Sequence, residues 1–221
     1  MIQDDIISKI ISGDFSDPKA AIMKTAIEEF AIRSLDGART RAIAEKSGSN
    51  IAAINYHFGG KSKLYEAVIL HTSRYFDAYI APYYDEGARI IAEKKPQSAK
   101  KFIQKFLIDC IRKFSEIGIV SPFCEILSRE SASPSEFFKP AYESLYERPV
   151  AFIAKLLETA SREKIQPDMG IVFAHSLWAN VRDYSSKSEA IMRLHSWKKF
   201  GEREIKILED SLQKVLEKTL K

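Results

Sequence analysis

The stretch Thr40 to Lys61 constrains the chain most: Thr-Arg-Ala-Ile-Ala-Glu-Lys-Ser-Gly-Ser-Asn-Ile-Ala-Ala-Ile-Asn-Tyr-His-Phe-Gly-Gly-Lys. Its spacing predicts two short helices with a tight turn between them. Thr40 is the expected cap of the first, because its hydroxyl can accept from an N–H left free at a helix start. Ile43 and Ala44 then face inward. Gly48 stands where that helix must stop, since glycine tolerates the left-handed conformation of a C-terminal cap. Asn50 is a good cap for the second helix. Ile51, Ile54 and Phe58 follow at spacings of three and four, which gives that helix one apolar face. The opposite face carries Ala52, Ala53, Asn55, Tyr56 and His57, which are small or polar. Gly59-Gly60 ends it.

Two short helices joined by a glycine-containing turn describe a helix-turn-helix. The second helix of such a unit can enter a DNA major groove with its first turns against the base edges. The expected DNA-facing set is Thr40, Arg41, Asn50, Ile51, Ala52, Ala53, Asn55, Tyr56, His57 and Lys61. Ala52 and Ala53 let the helix backbone come close. Asn55 can offer its amide to adenine, and an alanine methyl can touch a thymine methyl. Tyr56, His57 and Lys61 have the reach for phosphates, contacts that position without specifying. Helix N-termini at Thr40 and near Lys61 add backbone N–H groups aimed at anions.

Charge agrees with this reading. From Ala38 to Lys63, five basic residues (Arg39, Arg41, Lys46, Lys61, Lys63) stand against Glu45 alone, which accounts for the whole net charge of +4. A cationic excess concentrated at the helix-turn-helix is the footprint of a phosphate-binding surface. The plainer reading of the same residues is a cluster on a solvated face.

This stretch resembles the DNA-binding domain of the TetR family of bacterial transcriptional repressors, and most of all its CecR-type branch. The resemblance rests on Thr40, Ile43-Ala44, Gly48, Asn50, Tyr56-His57-Phe58, Lys61 and Leu64-Tyr65. Ser49, Gly60 and the pair Ala38-Arg39 depart from the usual pattern. The family implies an all-α fold: a three-helix helix-turn-helix head and a larger helical effector-binding and dimerisation domain. It implies a ligand-responsive repressor working as a homodimer on a palindromic double-stranded DNA operator. The expected division is 1–62 for the head, with an extra helix over 2–11, and 63–221 for the rest.

The remaining sequence reads as helices. Asp17 and Pro18 open the first main helix, whose inward stripe is Met23, Ile27, Phe30 and Ala31, with Gly37 stopping it. A helix from Ser62 to about Ile80 is expected to end at Pro82. Further helices are expected over Tyr83–Glu93, Ser98–Ile117, Pro122–Glu130, Ser135–Glu163, Asp168–Ser185 and Glu202–Leu220, with a short one near Ile191–Leu194. Aromatic and sulfur side chains crowd the middle segments. In the family the effector pocket lies among these helices, which makes Phe76, Phe106, Cys110, Phe114, Phe123, Leu127, Tyr142 and Phe152 candidates to line a pocket for a small apolar or aromatic effector; residue by residue, a plain helical core is the stronger reading. Ile171, Ala174, Trp178 and Val181, with Leu208, Leu212 and Val215, fall at helical or near-heptad spacing and suit a four-helix dimer interface. The same faces can instead be buried within one subunit.

No His-x-x-x-His, Cys-x-x-Cys, nucleophile elbow or phosphate loop occurs, so no metal, cofactor or enzymatic chemistry is expected. His175 is expected in a core or an interface. Two cysteines imply no disulfide framework and fit a reducing cytoplasm. No apolar run reaches the length of a membrane span.

Overall fold

The structure, a computed structural model, describes residues 5 to 220. Every regular element among the described residues is helical. In order they are α1 (Asp5–Ser12), α2 (Pro18–Gly37), α3 (Thr40–Lys46), α4 (Ile51–Phe58), α5 (Lys61–Glu93) and α6 (Pro96–Ser115). There follow α7 (Val120–Ala132), α8 (Lys139–Tyr142), a π-helical turn (Glu143–Glu147), α9 (Arg148–Ala160), α10 (Pro167–Ser186), α11 (Glu189–Leu194) and α12 (Glu202–Thr219). No described helix is long and apolar enough to cross a membrane. Of the extra helix expected over 2–11, residues 2–4 lie outside the described residues.

The chain forms two compact units, Met1–Tyr79 with Ile117–Leu145, and Ile80–Glu116 with Tyr146–Lys221. These differ from the contiguous division expected at 62/63, because α7 returns to pack along α2 and α5 contributes to both units. In the first unit, Ile22, Met23, Ile27 and Phe30 of α2 bury completely with Ile43, Ile54, Leu64 and Val68. This is the small core that the Met23–Ala31 stripe predicts, although Phe58 is only half-buried. In the second unit α6, α9 and α10 pack on one another and α12 packs on α6. Phe106 sits at its centre, edge-on to Phe152 at 5.6 Å and stacked on Trp178 at 5.7 Å. Arg112 grips Glu202 of α12 with Nε and Nη2, at 3.1 and 3.3 Å.

Local chemistry explains most boundaries. Asp17 Oδ1 accepts from the Lys19 N–H at 2.9 Å, with Pro18 at the first helical position. The same N–H bond holds the Asp17 carboxyl below its usual range. Three expectations need correction. Pro82 does not end its helix: α5 runs through it to Glu93. Pro82 is exposed, so water can satisfy the carbonyl that its missing N–H leaves free. The single helix expected over 135–163 is divided, since Pro140 and Pro149 each sit at the start of a new helix and cannot donate to the turn before. And α2 is interrupted at Ser34, with φ 60° and ψ 176°. That region of backbone space is nearly glycine-only and costs a serine about 1–3 kcal/mol, so the surroundings must impose it.

Candidate nucleic-acid interface

The helix-turn-helix is built largely from short-range bonds. Arg39 occupies the cap position of α3 and makes no side-chain capping bond. Thr40 is the first helical residue and not the cap that its hydroxyl suggests. After α3, Gly48 takes φ +66° and the Ser49 N–H returns to the Ala44 carbonyl at 2.8 Å, closing the turn. Asn50 Oδ1 accepts from the Ala53 N–H at 2.8 Å and starts α4. Gly59, left-handed at φ +78°, ends α4 with its N–H on the Asn55 carbonyl at 2.9 Å.

Once α4 is fixed by the burial of Ile54, its period decides the rest. Ala52, Asn55 and Tyr56 fall on the outer face, and Tyr56 is 86% exposed. Ala53 and His57 are half-buried at the edges of that face. Ile51, expected on the inner face by its spacing, is 45% exposed at the first position of α4. It therefore lies beside Ala52 on the outside. The outer face of α4 presents small side chains, one exposed amide and one exposed phenol.

The surrounding cations have partners within the chain. Arg41 Nε meets Glu45 at 2.8 Å, Lys63 meets Glu66 at 2.6 Å, and Lys46 bonds the buried carboxylate of Glu29. Lys61 Nζ donates to the carbonyls of Ala38 at 3.1 Å and Asp36 at 3.3 Å, tying the start of α5 to the α2–α3 junction. Lysine carries three donors, so Lys61 retains one for a phosphate. Exposed pairs such as Arg41–Glu45 contribute little and exchange readily for a phosphate partner.

Residues 22–68 match the family model described as bacterial regulatory proteins, tetR family. These residues carry a TetR-family DNA-binding domain. The chain is 23% identical over 196 residues to the HTH-type transcriptional dual regulator CecR of Shigella flexneri, covering 88% of this chain and 87% of that one. A solved structure of a putative TetR-family transcriptional regulator from Rhodococcus sp. superimposes with a TM-score of 0.52 at 19% identity, over 92% of this chain and 98% of that one. At that identity the likeness establishes the fold.

The other expected sites are distributed unevenly. Phe76 lies against Phe123 at 6.2 Å in the first unit, with Leu127 buried and Tyr142 exposed. Phe106, Cys110 and Phe114 are buried in the second unit, where Phe152 packs on Phe106. Burial pushes the Cys110 thiol up, which removes the thiolate that redox chemistry needs. Of the expected dimer face, Ala174, Trp178 and Val181 are buried within their own unit, a correction whose cause is the packing of α10 on α6 and α9. Ile171 is 47% exposed and Val215 43%. His175 is exposed as well. Leu208, Leu212 and Val215 line a cleft of about 290 Å³ with Phe173 and Leu177.

Sequence reasoning missed Arg129 and Glu130 of α7. Arg129 Nη1 donates to the Ala31 carbonyl at 2.8 Å, from 98 residues away. Glu130 accepts from the Tyr65 hydroxyl at 2.6 Å. Their partners lie far off along the chain, so no local pattern announces them.

Proposed function

We propose that the regulator is a ligand-responsive repressor that binds a palindromic operator as a homodimer, with α4 of each subunit in a major groove. The observation that carries this reading is the outer face of α4, where Ala52, Asn55 and Tyr56 stand exposed above the buried Ile54. Two such helices would enter successive grooves roughly 34 Å apart. The functional division remains the helix-turn-helix head against the helices that follow it. Selection of duplexes from a random pool tests the reading, and recovery of no preferred sequence at moderate salt would end it.

Two substitutions separate the roles within the face. Asn55→Ala should cost about 1–3 kcal/mol at one base pair and relax preference there, as loss of a bidentate base contact does. Lys61→Gln should weaken every duplex and reduce the dependence on salt by about one phosphate contact, with a further loss on the preferred duplex because Lys61 also ties α5 to the carbonyls of Asp36 and Ala38. Anisotropy titrations against single-base variants of the selected duplex check both. A uniform loss for Asn55→Ala contradicts its assignment.

The dimer reading is supported by Ile171 and Val215, which are large apolar side chains left in solvent on α10 and α12. A carboxylate at either position costs the free subunit little but is costly when buried against a second copy. The double variant Ile171→Glu/Val215→Glu should therefore sediment as a monomer while keeping its helical spectrum. A wild-type chain that is already monomeric at micromolar concentration defeats the proposal.

The aromatic middle helices support an apolar or aromatic effector. Such a ligand can shift the head only by its differential affinity for two states of the protein. The relative's description as a dual regulator supports a second reading, in which the same chain also activates. Reporter output with the site placed upstream or downstream of a promoter distinguishes them.

A further inference from the structure

We propose that Arg129 is a positioning residue for DNA reading: its guanidinium caps the interrupted end of α2 and thereby fixes the direction in which α4 is presented. The inference rests on the reading that α4 meets base edges.

The torsions at Ser34, φ 60° and ψ 176°, are non-helical and put a kink between two helical segments of α2. Carbonyls in the last turn before such a break need donors from elsewhere. Arg129 supplies them, with Nη1 on the Ala31 carbonyl at 2.8 Å and Nη2 on the Phe30 carbonyl. A planar fork suits two neighbouring carbonyls, and a helix C-terminus favours a cation. The next residue grips the other flank. Glu130 is 5% exposed and accepts from the Tyr65 hydroxyl of α5, whose ring stands edge-on to Phe30 at 4.9 Å. Ser135 satisfies the same carboxylate through its N–H at 2.9 Å and its hydroxyl at 2.8 Å.

Consecutive residues of α7 therefore hold the helix before the helix-turn-helix and the helix after it. The segment carrying α3 and α4 runs between these two fixed points, joined to the core of α2 through Ile43 and Ile54, tied to Glu29 by Lys46, and closed by Lys61 on the carbonyls of Asp36 and Ala38. Without Arg129, the carbonyls of Phe30 and Ala31 lose their long-range donor, and α4 samples a wider spread of directions. Base-edge contacts require bidentate geometry and suffer from such a spread. Phosphate contacts tolerate it. The loss should thus fall on sequence preference and spare affinity for DNA in general.

The experiment uses the full chain, a duplex enriched by the wild-type protein from a random pool, and a scrambled duplex of equal length. Anisotropy titrations at one salt concentration give the ratio of the two affinities, at a temperature where circular dichroism shows each variant folded. Arg129→Met should lower that ratio about tenfold, the scale of losing one base pair's readout, with little change on scrambled DNA. Arg129→Lys keeps the charge without the fork and should give a smaller loss. A lowered melting temperature with the wild-type ratio retained makes Arg129 merely structural and overturns the proposal. If Arg129→Met does not fold, Arg129→Lys decides: a reduced ratio supports the proposal and an unchanged one overturns it. A wild-type chain that enriches no sequence instead defeats the reading of α4 itself.

Discussion

Replacing Ala52 with glutamate should abolish recognition of the preferred duplex, with a loss on the order of 100-fold or more, because a like charge set against nucleic acid costs several kcal/mol. Ala52 is the second residue of α4 and is exposed, so the new carboxylate meets no neighbour in the free protein. A glutamate in the first turn is favoured by the helix dipole, and exposed substitutions of this kind stay within about 0.5 kcal/mol of neutral. Folding and binding therefore separate cleanly. The melting temperature should hold while anisotropy titrations lose the complex. An Ala52→Glu protein that binds as the wild type does would mean that α4 does not enter the groove. No rearrangement of the turn could rescue that assignment.

The second large effect concerns stability. Gly87 lies inside α5, where helix propensity alone says that alanine should be better by about 1 kcal/mol. The packing says the opposite. A Cβ at position 87 would lie 2.2 Å from Phe152 Cζ, 2.5 Å from Phe152 Cε2 and 3.0 Å from Phe102 Cε1. The Phe152 ring cannot swing away at little cost, because it stands edge-on to Tyr84 at 4.9 Å and to Phe106 at 5.6 Å. Overpacking of this kind costs about 1–3 kcal/mol, enough to outweigh the propensity gain. For a chain of this size each kcal/mol lowers the melting temperature by about 2–4 °C. Gly87→Ala should thus melt several degrees earlier, and Phe152→Leu in the same chain should recover part of the loss. A thermal scan showing higher stability for Gly87→Ala would mean that the approach of Phe152 to α5 is wrong.

Features set by neighbours along the chain were legible. Asp17, Asn50, Gly48 and Gly59 do in the structure what their residue types predict, because a cap or a left-handed turn is completed within four residues. Thr40 misled for a related reason. Its hydroxyl could serve as a cap, but the helix begins one residue earlier than that role requires, with Arg39 in the cap position. On α10 the spacing located an apolar face correctly and could not say whose core it served. Ala174, Trp178 and Val181 proved to belong to their own unit.

The amino-acid order by itself determined the all-helical architecture, the position of the helix-turn-helix and the outward face of α4, since each follows from periodicity and capping over a few residues. Only the tertiary structure decided that α7 caps α2 through Arg129, that Ser34 is held in a glycine-like conformation, and that Gly87 makes room for Phe152. Each of these depends on atoms brought together from distant parts of the chain or on strain that the surroundings impose. Local propensity carries no information about either.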